Sequence, residues 1–218
     1  MNTLTALNPL LTRLFAESEH WMRSNAAWLD LPPDELNRRM QSKTDYLSFY
    51  HQLKDAALAV SPETGRLLYL LARGAQAHCI VEFGTSFGIS ALHLAAALRD
   101  NGGGRLITCE FEPSKVQRAR QHLDEAGLAD LVDIREGDAL LTLQADQPAS
   151  VDLLLLDGAK GLYLEVFGTL EDRLRPGAFI VADNAEYSPD YLAYVRDPAN
   201  GYVSVPFAED VELSVRVF

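Results

Sequence analysis

The sequence predicts an α/β fold: a mostly parallel sheet covered on both faces by helices, with a helical segment in front of it. Three observations carry the prediction. From His78 onward, apolar runs of strand length alternate with helix-like segments. The run Leu153-Leu154-Leu155-Leu156 is apolar without alternation, the pattern of a strand buried on both faces. The stretch Val81-Glu82-Phe83-Gly84-Thr85-Ser86-Phe87-Gly88-Ile89-Ser90 reads as a strand ending in an acid, a Gly-x-x-x-Gly turn and the start of a helix.

Taken in order, Leu4 to Trp21 has helical spacing, Leu29-Asp30-Leu31-Pro32-Pro33 interrupts it, and Asp34 to Gln41 resumes it. Tyr46 to Val60 is a further amphipathic segment. Ser61-Pro62-Glu63 opens the next helix with a hydroxyl cap, a proline at the first helical position and an acid in the first turn. Residues 1–60 are therefore expected to form an N-terminal helical cap, not an independent domain, and residues 61–218 the main domain. Strands are predicted at His78–Phe83, Arg105–Glu110, Val132–Arg135, Val151–Leu156 and Ala178–Ala182, with helices at Ser90–Leu98, Pro113–Ala126 and Leu162–Leu174 between them. Tyr202–Val205 and Val211–Val217 alternate apolar and polar residues, which suggests an antiparallel pair at the sheet edge.

A chain of 218 residues with 48% hydrophobic residues can bury a sizeable core, and no apolar run is long enough to span a bilayer. Nineteen Lys and Arg against 31 Asp and Glu give a net charge of −12, which repels nucleic-acid backbones and anionic lipid. Nucleic acid and membrane are thus not expected partners. Met1 to Leu14 lacks the basic start and apolar block of a secretion signal, and Cys79 and Cys109 both fall on strands as free thiols. The expected location is cytoplasmic.

Each strong strand of the main domain ends in an acid, namely Glu82, Glu110, Asp157 or Asp183, and Asp138 follows the Val132 strand. In an open parallel sheet these ends form the ligand crevice. A single acid in such a place reads as a helix cap or a solvated strand end; the repetition favours a site. Glu110 suits ribose hydroxyls, and the turn lacks the Gly-x-Gly-x-x-Gly of pyrophosphate binders. An acid before the turn suits a cationic nucleoside, and S-adenosylmethionine, a sulfonium with an ammonium group, fits. Asp157, Asp183 and Asn184 all offer hard oxygen, the ligand type of Mg²⁺, although Asp-Asn is also a common turn pair. Lys160 by spacing alone reads as a surface lysine; beside a metal and a substrate hydroxyl its pKa would fall and it could accept a proton.

From about Val60 to the C-terminus the chain resembles the class I, metal-dependent O-methyltransferases of the catechol and caffeoyl-CoA type. The blocks that carry the resemblance are residues 81–90, Leu-Ile-Thr-Cys-Glu at 106–110, Glu-Gly-Asp at 136–138, Leu-Asp-Gly-Ala-Lys-Gly-Leu-Tyr at 156–163 and Val-Ala-Asp-Asn at 181–184. The resemblance implies a Rossmann-like methyltransferase fold of about seven strands with an antiparallel last strand. It also implies that Glu82, Gly84 and Ser90 surround the methionine part of S-adenosylmethionine, with Val60 touching it from the cap. Glu110 would take the ribose, and Asp138 and Ala139 would border the adenine. Asp157, Asp183 and Asn184 would hold Mg²⁺, with Lys160 as general base and Asp157 part of both catalytic and cofactor sites. The substrate implied is a small aromatic vicinal diol.

The chain departs from some relatives in its small Gly158-Ala159, which is expected to widen the acceptor mouth, and in the absence of a clear late acid. Val203 falls near that acid's place, with Glu209, Asp210 and Glu212 further on. Other readings are a metal-independent methyltransferase, with Lys160, His20 or His51 assisting, and a non-catalytic cofactor-binding module. Trp21, Met22, Trp28, Tyr46, Phe49 and Tyr50 of the cap are expected in the core, an acceptor pocket or a homodimer surface.

Overall fold

The structure, a computed structural model, describes residues 2–25, 31–208 and 210–218; Trp28, Leu29, Asp30 and Glu209 lie outside the described residues. The cap begins with α1 (Thr3–Ala6), capped by Asn2, and α2 (Asn8–Ser24), which turns Leu10, Leu11 and Leu14 inward. α3 (Pro33–Met40) follows with Asp34 and Glu35 in its first turn. α4 (Tyr46–His51) is shorter than the periodicity predicts. Beyond His51 the chain passes through turns and extended backbone, with Leu58 at φ +38°, which a continuing right-handed helix excludes. Leu53, Ala56, Ala57 and Val60 are buried all the same, so the apolar spacing reported burial and not helicity.

α5 (Pro62–Gly74) starts as the sequence predicts: Ser61 Oγ accepts from the Thr64 N–H at 3.0 Å and Pro62 opens the helix. The main domain then runs β1 (Cys79–Phe83), α6 (Ile89–Asp100), β2 (Arg105–Glu110), α7 (Pro113–Glu125), β3 (Val132–Glu136), α8 (Ala139–Thr142) and β4 (Val151–Leu156). It ends with α9 (Tyr163–Leu170), β5 (Leu174–Asp183), α10 (Pro189–Arg196), β6 (Tyr202–Phe207) and β7 (Val211–Arg216). The helix predicted to reach Leu174 stops at Leu170, and β5 starts at Leu174 instead of Ala178. The residues between Leu174 and Phe179 are accommodated as a register irregularity opposite Val151 to Leu153 of β4.

The seven strands lie in the order β3-β2-β1-β4-β5-β7-β6, with β1 to β5 pairing in parallel and β7 antiparallel to both neighbours. The tail is the expected antiparallel pair at the sheet edge, joined between Phe207 and Val211. β7 inserts between β5 and β6, and β6 becomes the edge. One face of the sheet packs against α1, α2, α5 and α6, the other against α9 and α10. Pairing of Phe83 with Cys109 and Leu156, and of Leu156 with Ala182, brings four strand ends to one level. Among the described residues no helix is long and apolar enough to cross a membrane.

Candidate active site

Two cavities open at this rim. The first is lined from the sheet by Gly84, Glu110, Asp138, Ala139 and Asp157, five of the residues expected around a cofactor. Gly84 has φ +101°, and a Cβ there would stand 2.6 Å from the Asp157 carbonyl oxygen, so only glycine lets the turn lie against the next strand end. Glu110 accepts from the N–H groups of Ser86 at 2.9 Å and Glu112 at 3.0 Å. Burial pushes its carboxyl above the ordinary value, against the pull of the Lys115 ammonium. Asp138 uses one oxygen to cap α8 through Leu140 at 2.9 Å and accepts from the Tyr46 hydroxyl at 2.5 Å on the other.

Three expected residues do not line this cavity. Glu82 is fully buried beneath the turn, where Ser90 donates to one oxygen at 2.5 Å and Thr108 to the other at 2.6 Å. Burial pushes its carboxyl up to about 7, and the two hydroxyls offset only part of that. Ser90 is thus spent on Glu82. Val60 is buried at 3% exposure, and the cap reaches the cavity through Tyr46, Leu47, Tyr50 and Leu58 instead.

The second cavity, of 230 Å³, joins Asp157, Lys160, Asp183 and Asn184 to the cap. Lys160 is buried and donates to Asp157 Oδ1 at 2.9 Å, lies 4.0 Å from Asp183 Oδ2, and donates to the Tyr163 hydroxyl at 2.9 Å. Tyr163 in turn donates to the Asp183 carbonyl at 2.7 Å, which fixes the lysine from a second side. Burial acts to lower the Lys160 pKa, but Asp157, Tyr163 and Asp183 outweigh it and hold the group well above its ordinary value. The lowering expected from sequence applies to a lysine beside a metal and a substrate hydroxyl; the protein groups alone hold it up, because the ammonium serves as counter-ion to two carboxylates. Asp183 is pushed up to about 7 by burial and then by Asp157, with only partial relief from Lys160.

The donor set fits a hard divalent cation. Asp157 and Asp183 are within hydrogen-bonding reach of one another, and two buried carboxyls so placed call for positive charge. Among the described residues no three His, Cys, Asp or Glu side chains converge, and the further side-chain oxygen lining the same cavity is the amide of Asn184. Its nitrogen donates to Asp210 at 3.2 Å, which makes Asp210, among the described residues, the late acid tied to the site. Val203 is exposed on the edge strand, and Glu212 is buried in a pair with Arg196.

Gly158 does not widen the mouth. A Cβ there would meet the Phe83 ring at 2.4 Å, so the space is already filled by that ring. From the cap, Tyr46 and Tyr50 reach the first cavity and Met22 and Tyr50 the second, while Phe49 is core. Lys115, Met40 and Leu58 went unmarked in the sequence, since their positions carry no motif and only the folded cap brings Met40 and Leu58 to the rim. His51 bonds Glu112 at 2.7 Å and does not line the second cavity.

A methyltransferase domain family profile matches residues 81–185. The catechol O-methyltransferase of Niastella koreensis is 41% identical over 131 residues, which are 59% of this chain and 58% of that protein. The chain thus spans less than two thirds of that relative's length. The catechol O-methyltransferase of Sus scrofa is 31% identical over 151 residues, 66% of this chain and 80% of the relative. Among solved structures, the O-methyltransferase TomG from Streptomyces achromogenes in complex with SAM matches with a TM-score of 0.64 at 29% identity, covering 84% of this chain and 95% of that one.

Proposed function

This chain belongs to the class I O-methyltransferases of the catechol and caffeoyl-CoA type, and on that premise we propose that it moves a methyl group from S-adenosylmethionine to one hydroxyl of a small aromatic vicinal diol. One observation supports this above the rest: the two cavities share a wall of Tyr50, Leu58, Asp157 and Gly158, with Lys160, Asp183 and Asn184 on the far side of it. A group leaving a ligand in the first cavity meets an acceptor in the second there.

Glu110 would accept from the ribose hydroxyls, Gly84 would let the turn approach the methionine part, and Asp138 and Ala139 would border the adenine. Glu82 and Ser90 would act from beneath, holding the turn and supplying negative charge to a cationic cofactor. Asp157, Asp183 and Asn184 would hold Mg²⁺ or another divalent cation, which when bound acidifies a hydroxyl chelated to it. Lys160 can serve as base only when the charge of Asp157 and Asp183 is taken up by another cation. What then remains is a buried amine facing Tyr163, the setting in which a lysine gives up its proton. Tyr50 and Leu58 would keep water from the shared wall, and orientation across it would supply much of the rate.

The test is methyl transfer to 4-butylcatechol and simpler catechols, with Mg²⁺ or with EDTA. Turnover is expected to need Mg²⁺ and to fall about a hundredfold or more in Asp157→Ala. Full, EDTA-resistant turnover in that variant would leave the metal-independent reading, which the direct Lys160–Asp157 pair favours. Cofactor binding without any transfer would leave a binding module.

A further inference from the structure

Beyond its oxygen donors and Lys160, the second cavity is lined among the described residues by Ser18, Met22, Met40, Leu53, Leu58 and Ala59, together with Tyr50. The three charged side chains at its floor are already committed to one another, Lys160 to Asp157 at 2.9 Å and to Asp183 at 4.0 Å. The Tyr50 hydroxyl points to the Met40 sulfur at 3.7 Å, so the polar end of that ring is also in use. Apart from the neutral Ser18 hydroxyl and the Asn184 amide, the remaining described lining is apolar, and no described charged side chain is left there to pair with a carboxylate or an ammonium brought in by the acceptor. Burying such a group unpaired is costly, whereas an apolar substituent gains from the same walls. A cavity of about 150 Å³ takes up benzene. The 230 Å³ here has room for the reacting ring and a short substituent. The two methionines, unbranched and polarizable, suit an aliphatic group of variable shape.

We infer that the acceptor is a catechol whose ring carries an uncharged apolar substituent of a few carbons, seated against Met22, Met40 and Leu53. The inference rests on the diol-methylating reading and goes beyond it by selecting among catechols. It excludes acceptors that enter with a charged tail, whether a carboxylate, a phosphate-bearing thioester or a protonated amine.

The experiment compares kcat/KM for 4-butylcatechol, 3,4-dihydroxyphenylacetate and dopamine at neutral pH with Mg²⁺ and saturating S-adenosylmethionine. The butyl compound is expected to lead both charged ones by about tenfold or more. Comparable rates for all three would overturn the apolar subsite and leave the catechol reading standing; no methylation of any would overturn both. Met40→Lys places a cation in the same wall. It is expected to move the ratio of the acid to the butyl compound toward the acid by about tenfold, with Met22→Lys measured in parallel. A ratio unmoved in both folded variants would show that the substituent lies elsewhere.

Discussion

At the scale of the residue, Glu82 is the group whose environment departs most usefully from the ordinary. Its carboxyl moves from 4.5 to about 7 because it is wholly buried, with Ser90 and Thr108 as its hydroxyl partners. In the unfolded chain the same carboxyl loses its proton near pH 4.3, so as pH rises the unfolded state deprotonates first and gains ground. Glu82 therefore takes about 3 kcal/mol of stability away between roughly pH 4.5 and 7, an upper bound set by the shift. Glu82→Gln is expected to unfold much like the parent at pH 4.5 and to be more stable above pH 7. Thermal unfolding across that range checks it, and a pH-independent difference would mean that Glu82 is ionised in the fold throughout. The residue was legible as an acid at a strand end. That it lies under the turn and not in the cavity depends on Thr108, which belongs to the neighbouring strand.

At the scale of the element, α4 decides how the first cavity is closed. Six residues are too few for a helix to persist by itself in water, so α4 is held by what it touches. Tyr46 ties its start to Asp138, His51 ties its end to Glu112, and Phe49 packs with Leu53 and Ala56. The double variant Tyr46→Phe, His51→Ala removes both polar ties and leaves the apolar packing. It is expected to speed dissociation of S-adenosylmethionine by about tenfold and to lower the melting temperature as well, since each tie is a hydrogen bond to a carboxylate worth about 1.5–3 kcal/mol. Stopped-flow release measures it; an unchanged rate would show that apolar packing alone keeps α4 down. Sequence predicted a helix from Tyr46, but its early end at His51 reflects the path to Leu58 that the shared wall requires.

At the scale of the whole molecule, the cap and sheet share one core. Leu7, Leu10, Leu11 and Leu14 belong to the same apolar cluster as Leu68, Leu92 and Leu98. Asp100, at the end of α6, accepts from Thr3 and from Tyr69. Exposing four leucines forfeits about 6–12 kcal/mol, comparable to the whole stability of a domain. We therefore propose that residues 1–60 are no separate domain, and that a chain lacking residues 2–24 will not unfold cooperatively. Calorimetry on that truncation decides it: a sharp transition with retained cofactor binding would make the cap an accessory. The homodimer considered from the cap's apolar stripe is not required by either cavity, since described residues of one chain line both.

The sequence alone determined the alternation of strands and helices, the glycine turn, and the acids that end the strands, because each is written in local spacing. It also placed Asp157, Lys160, Asp183 and Asn184 close enough in pattern to name them together. Tertiary structure decided what spacing cannot hold: that β7 enters between β5 and β6, and that Lys160 stands as counter-ion between two carboxylates. It also decided that Met22, Met40 and Leu58 of the cap wall the second cavity. Alternation fixes which face of a strand is buried but not its neighbours, and a side chain's charge state depends on groups brought near by folding, however far apart in the chain.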